Sequence, residues 1–250
     1  MNLVFIHGLA GSKNIFNKIG PILQKQLGAK TLSFDLLGFG AEKNTPSDYS
    51  LGSQLTHVLK KIEQKFGQEK IILVGHSLGG VIASALAKQA TARTEKLILL
   101  NMPVYHTRQE FIANLANKDA ELGWAKMIVV YPRLSHLSCN VLCRFGLMNL
   151  FYPLKPKYID NQVFFDYSKH TWTSLKLTLE KILLGHPSLA LVQSLQLPIL
   201  NIQATKDNLL LSKDIPQSNV TNLWIEGGHI LPQQKPKMVA EAIINFLKQK

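Results

Sequence analysis

Thirteen residues constrain this chain more than any others: Ile71-Ile72-Leu73-Val74-Gly75-His76-Ser77-Leu78-Gly79-Gly80-Val81-Ile82-Ala83. Four apolar residues read as a buried strand, glycines stand two before and two after a serine, and a small-residue helix follows without a loop. So tight a turn crowds its own backbone, so positions 75 and 79 must lack a side chain. Ser77 is thereby lifted above the sheet edge as a candidate nucleophile. Leu78 opens the helix, where backbone N–H groups have no helical partner and can donate to a developing oxyanion. Random order of this composition gives roughly 0.06 Gly-x-Ser-x-Gly matches per chain, and the flanking strand and helix reduce that further.

Around this turn the chain alternates. Leu3–Ile6 is a continuous apolar run, as a strand buried on both faces would be. A helix is expected next, entered through Asn14, carrying Ile15, Phe16, Ile19, Ile22, Leu23 and Leu27, and closed by Gly28. A strand over Lys30–Phe34 leads to the loop Asp35-Leu36-Leu37-Gly38-Phe39-Gly40, and helical spacing from Leu51 to Phe66 precedes the serine strand. Lys96–Leu100 is a further strand. This alternation implies right-handed crossovers and a mostly parallel sheet flanked by helices, an α/β fold.

The alternation stops from Met102 to Gly185 and resumes with strands at Pro198–Ile202 and Val220–Ile225 and a closing helix from Met238 to Leu247. The interrupting segment holds 12 of the 20 aromatic residues. We expect a mainly helical lid over residues 102–185, inserted into a core made of residues 1–101 and 186–250. Phe111, Trp124, Phe145, Phe151, Phe164 and Trp172 are its candidate substrate-binding side chains, lining an apolar pocket.

A serine hydroxyl is a weak nucleophile until a base takes its proton, and that base needs a third group to fix its tautomer and stabilise the imidazolium. Among eight histidines, His229 follows a late strand through Gly227-Gly228, which lets a loop swing over the serine. Asp207, in a polar loop after the preceding strand, is the expected carboxylate, with Asp214 as the fallback. The order Ser77, Asp207, His229 is the one expected on this scaffold.

These residues, with His7-Gly8, Asp35-x-x-Gly38-x-Gly40 and Gly228-His229, resemble those of the α/β-hydrolase superfamily, in particular its small lidded carboxylesterases and C–C hydrolases. The resemblance implies that Leu9 supplies a second oxyanion N–H beside that of Leu78, and that His7, His76 and Asp35 brace loops. Many members carry two further strands before the His-Gly strand, so a shorter sheet edge is expected here. The aromatic lid suggests an apolar acyl chain, and the resemblance implies an ester substrate, either a small molecule or the methyl ester of a pimeloyl chain on an acidic acyl carrier protein, as in biotin synthesis. A C–C bond hydrolase and a non-catalytic binding protein on the same fold are the alternatives.

Composition narrows the rest. The net charge of +12 is spread evenly along the sequence, which suits solubility or an acidic partner and gives no concentrated nucleic-acid footprint. Cys139 and Cys143, two residues spaced i, i+4, are too few for a disulfide framework or a zinc site. No phosphate loop, metal motif or dinucleotide fingerprint is present, so no cofactor is expected. The start of the chain lacks a basic segment and cleavage site, and no apolar run approaches the ~20 residues of a membrane span, so a cytoplasmic protein is expected.

Overall fold

Six strands, β1 (Asn2–Ile6), β2 (Lys30–Ser33), β3 (Ile71–His76), β4 (Thr94–Leu100), β5 (Ile199–Ala204) and β6 (Val220–Ile225), lie parallel in one sheet ordered β2-β1-β3-β4-β5-β6. The computed structural model describes residues 1–117, 131–144, 147–207, 211 and 213–249. Trp124 and Phe145 lie outside the described residues.

The side-chain period of two divides the core between two layers. Leu3, Phe5, Ile72, Val74, Ile98 and Leu100 face one side, where they meet α1 (Ile19–Leu27) and the C-terminal helix. Val4, Ile6, Leu73, Leu97 and Leu99 face the other, where α2 (Leu51–Phe66) and α3 (Leu78–Gln89) lie. All residues of β1 and β3 are buried, as the apolar runs Leu3–Ile6 and Ile71–Val74 require. β2 is an edge strand, and its Lys30, Thr31 and Ser33 suit its partial exposure.

The helix expected from Asn14 to Leu27 is divided. A 3₁₀ turn covers Lys13–Phe16, and α1 starts only at Ile19. Pro21 explains the break: it has no N–H to offer the carbonyl of Asn17, so it is accommodated in a helical first turn but not in a helix interior. Gly28 ends α1 in the left-handed region, at φ 59°.

Between β4 and β5 the described chain is helical: α4 (Arg108–Asn117), α5 (Pro132–Arg144), a 3₁₀ segment (Leu147–Leu154), α6 (Asn161–Asp166), α7 (Trp172–Thr178), a π turn (Leu179–Leu183) and α8 (Ser188–Gln193). The ends of this insertion are tied together. The Tyr105 hydroxyl donates to the carbonyls of Leu183 and His186, and the Ser188 hydroxyl to that of Pro103. Its middle docks on the core through Asp166, which is buried and accepts from Ser12, Asn14, Gln162 and Lys169. Ser174 donates to the Gly38 carbonyl, and Gly40 N–H to that of Lys169. Two short helices complete the chain, α9 (Leu231–Gln234) and α10 (Pro236–Lys248).

From β1 the chain moves outward to β2 and then returns to the opposite side of β1 for β3. The carboxyl ends of β1 and β3 thus form a topological switch point, where parallel sheets open a crevice for ligands. His7-Gly8-Leu9 follows β1 and Ser77 follows β3.

Candidate active site

Ser77 occupies the one-residue turn between β3 and α3 at φ 54°, ψ −121°. For a residue with a Cβ this conformation costs on the order of 1–3 kcal/mol, so the surroundings must hold it. They do so with hydrogen bonds from Ser77 N–H to the Leu100 carbonyl (2.9 Å) and from Gly80 N–H to the Ser77 carbonyl (2.9 Å). The flanking glycines are steric necessities. A Cβ on Gly75 would lie 2.4 Å from the Gly79 carbonyl oxygen, and one on Gly79 would lie 2.0 Å from that of Ile6.

Asp207 and His229 come from separate loops that are joined to each other, since Lys206 N–H donates to the Gly227 carbonyl at 2.9 Å. The Gln234 side chain fixes the same turn by accepting from Gly228 N–H at 2.7 Å. His229 Nδ1–H donates to Asp207 Oδ2 at 2.8 Å, which leaves the ring's lone pair on Nε2. The Asp207 side chain is fully buried, whereas that of His229 is 13% exposed, so the imidazole reaches solvent and the carboxylate does not. Among the described residues no hydrogen bond joins Ser77 Oγ to the His229 ring; such contacts commonly tighten only around substrate.

His76 links the two halves. Its Nε2–H donates to the His229 carbonyl at 2.9 Å, and the two rings lie 5.0 Å apart. Burial pushes His76 down to about 3, so its ring is neutral near pH 7. His7 is likewise lowered by burial; its Nδ1–H donates to the Gly8 carbonyl (2.8 Å) while Nε2 accepts from Leu36 N–H (2.9 Å). Asp35 accepts from Lys13 and Ala41 N–H, each at 2.8 Å. His7, His76 and Asp35 therefore brace the loops around Leu9, Ser77 and His229. Asp214 is engaged elsewhere, accepting from the Trp224 indole at 2.8 Å.

Leu78 N–H is the first of α3, and Leu9 lies in the turn after β1, next to Gly8, on which an added Cβ would be 3.0 Å from Ser77 Cβ.

Asn101 is a site residue that sequence reasoning passed over. Fully buried at the end of β4 with φ 48°, it donates from Nδ2 to Asp207 Oδ2 at 2.7 Å, the oxygen that also receives His229. Amides lie along the neighbouring strands as well: Gln203 donates to the Met102 carbonyl and to Asn201 Oδ1, both at 2.9 Å, and Asn201 donates to Asn222 Oδ1 at 2.9 Å. The available signal was the pair of buried amides, Asn201 and Gln203, inside the otherwise apolar run of β5.

The four candidate lid aromatics among the described residues do not gather on one surface. Phe111 is buried against Tyr105, with ring centroids 4.8 Å apart, in the core layer of α3. Phe164 belongs to the opposite layer, packed against Tyr152 and Phe165. Phe151 is exposed, and Trp172 is half-buried with its ring 5.5 Å from His136.

Known proteins share this fold. An esterase from Exiguobacterium antarcticum superposes with a TM-score of 0.75 over 100% of this chain and 92% of its own, at 15% identity, a likeness of fold. The sn-1-specific diacylglycerol lipase ABHD11 of Danio rerio is 34% identical over 102 residues, which is 40% of this chain and 31% of the lipase. The chain thus matches about a third of the length of that relative. The uncharacterized hydrolase YugF of Bacillus subtilis is 22% identical over 98% of this chain and 89% of its own length. The family model described as the alpha/beta hydrolase fold matches residues 2–226, and the chain belongs to that family.

Proposed function

We propose that the chain is a serine hydrolase that cleaves a carboxylic ester through an acyl-enzyme. The observation that carries this reading is the 2.8 Å bond from His229 to buried Asp207, at the sheet edge where Ser77 is held at a positive φ. Ser77 Oγ attacks the ester carbonyl as its proton passes to His229 Nε2, and Asp207 stabilises the imidazolium. The Leu9 and Leu78 N–H groups receive the negative oxygen, each such donor being worth roughly 10²–10³ in rate. The tetrahedral centre collapses, the C–O bond to the alcohol breaks, and His229 returns the proton to the leaving oxygen. Water then gives a proton to His229 and attacks the acyl carbon, and the acid leaves as Ser77 regains its proton.

An acyl ester suits the relatives, which are named for diacylglycerol and, in Arabidopsis thaliana, as probable lysophospholipases. The specific substrate we propose is the methyl ester of a pimeloyl chain on an acyl carrier protein, a carrier whose acidity would complement the +12 charge. Hydrolysis of p-nitrophenyl esters of graded chain length tests the reaction, and comparison of carrier-bound with free pimeloyl methyl ester tests the partner. Turnover lost in Ser77→Ala supports the mechanism; equal kcat/KM on free and carrier-bound ester removes the carrier protein from it.

A further inference from the structure

Exposed large apolar side chains are concentrated in one stretch of the insertion. Tyr131, Leu134, Leu137, Val141, Leu150, Phe151, Tyr152, Leu154 and Tyr158 are all at least 39% exposed, and Leu137, Leu150 and Leu154 reach 63%, 70% and 77%. On α5 the stripe is regular. Leu134, Leu137 and Val141 are spaced i, i+3, i+7 and so share one face, while Ser135 and Cys139 on the opposite face are buried against the protein. The helix therefore has two apolar-compatible sides, only one of which the fold uses. The adjoining 3₁₀ segment Leu147–Leu154 adds Leu150, Phe151, Tyr152 and Leu154.

Charge in the same stretch has one sign. Residues 131–158 include Arg133, Arg144, Lys155 and Lys157 and no Asp or Glu, although the +12 charge is otherwise spread evenly. Protruding aliphatics, tyrosines and cations without acids are the combination that beds a helix into the headgroup region of an anionic bilayer: apolar stems enter the acyl boundary, aromatic rings sit at the interface, and cations meet lipid phosphates. No helix among the described residues is long and apolar enough to cross a membrane, which leaves surface seating as the mode.

We propose that α5 and the following 3₁₀ segment form a docking surface for an anionic lipid bilayer. Binding does not depend on the ester-hydrolase reading, because it is measured with Ser77→Ala as well as the native chain. The experiment is co-sedimentation with vesicles of phosphatidylcholine containing 30% phosphatidylglycerol, against pure phosphatidylcholine, at low and high salt. The expected result is at least tenfold stronger partitioning to the anionic vesicles, weakened by salt and abolished by the pair Leu137→Glu and Leu154→Glu, whose native side chains face water. That pair leaves the melting temperature and p-nitrophenyl acetate hydrolysis unchanged. Three results overturn the proposal: no vesicle binding by folded native protein, binding that the pair does not reduce, or a stable dimer that the pair dissociates. In the first of these cases, loss of turnover in the pair on a carrier-bound ester assigns the patch to an acidic protein instead.

Discussion

At the scale of single residues, the chemistry converges on Asp207 Oδ2, which accepts from His229 at 2.8 Å and from Asn101 at 2.7 Å. A buried carboxylate needs such donors to remain ionised, and two on one oxygen also fix the carboxylate plane and with it the imidazole. Asn101→Ala is therefore expected to lower kcat roughly 10- to 100-fold while KM for p-nitrophenyl acetate stays within about twofold, measured by steady-state kinetics. Asn101→Ala placed in Asp207→Asn should add little, since the carboxylate it positions is already gone. Ser77 was legible in sequence because only one backbone geometry explains glycines at both 75 and 79. Asn101 was not, because an amide after four apolar residues reads equally as the end of a strand. Its role depends on Asp207, 106 residues away in sequence.

At the scale of elements, the strands were readable because a parallel sheet covered on both faces demands unbroken apolar runs, and β1, β3 and β4 have them. α1 was misread in extent because periodicity ignores the missing N–H of Pro21. The insertion was legible as helical and aromatic but not in how it docks, since its attachment is polar. Burial alone would raise Asp166, yet donors from Ser12, Lys169, Asn14 and Gln162 together hold its carboxyl below the usual range. Asp166→Ala removes the acceptor, leaves the buried Ser12 hydroxyl without it and cuts the polar tie between core and insertion. A loss of about 2–4 kcal/mol in unfolding free energy is expected, which for a chain of this size lowers Tm by roughly 5–15 °C. Calorimetry measures it, and limited proteolysis should cut the insertion of the variant first.

At the scale of the whole molecule, the two buried histidines make stability depend on pH. His7 and His76 are both lowered by burial, His76 to about 3, whereas in the unfolded chain each takes up a proton near the ordinary value of about 6.5. The unfolded state therefore binds more protons below that pH, and stability falls as pH drops below about 6.5, the His76 contribution continuing toward pH 3, by up to about 1.4 kcal/mol per pH unit for each histidine that stays neutral in the fold. Urea unfolding at pH 7.5, 6.0 and 5.0 should show this slope, and His76→Gln should flatten it by one histidine's share. Both histidines hold the loops that carry the site, so acid is expected to release Leu9 and His229 together. The central claim, that Ser77 is a nucleophile activated by His229, is tested most directly by intact-mass measurement after exposure to a fluorophosphonate. The expected result is one adduct per chain, mapped to Ser77, absent in Ser77→Ala and formed roughly 100-fold or more slowly in His229→Ala. An adduct on another residue, or folded native protein that takes up none, would contradict it.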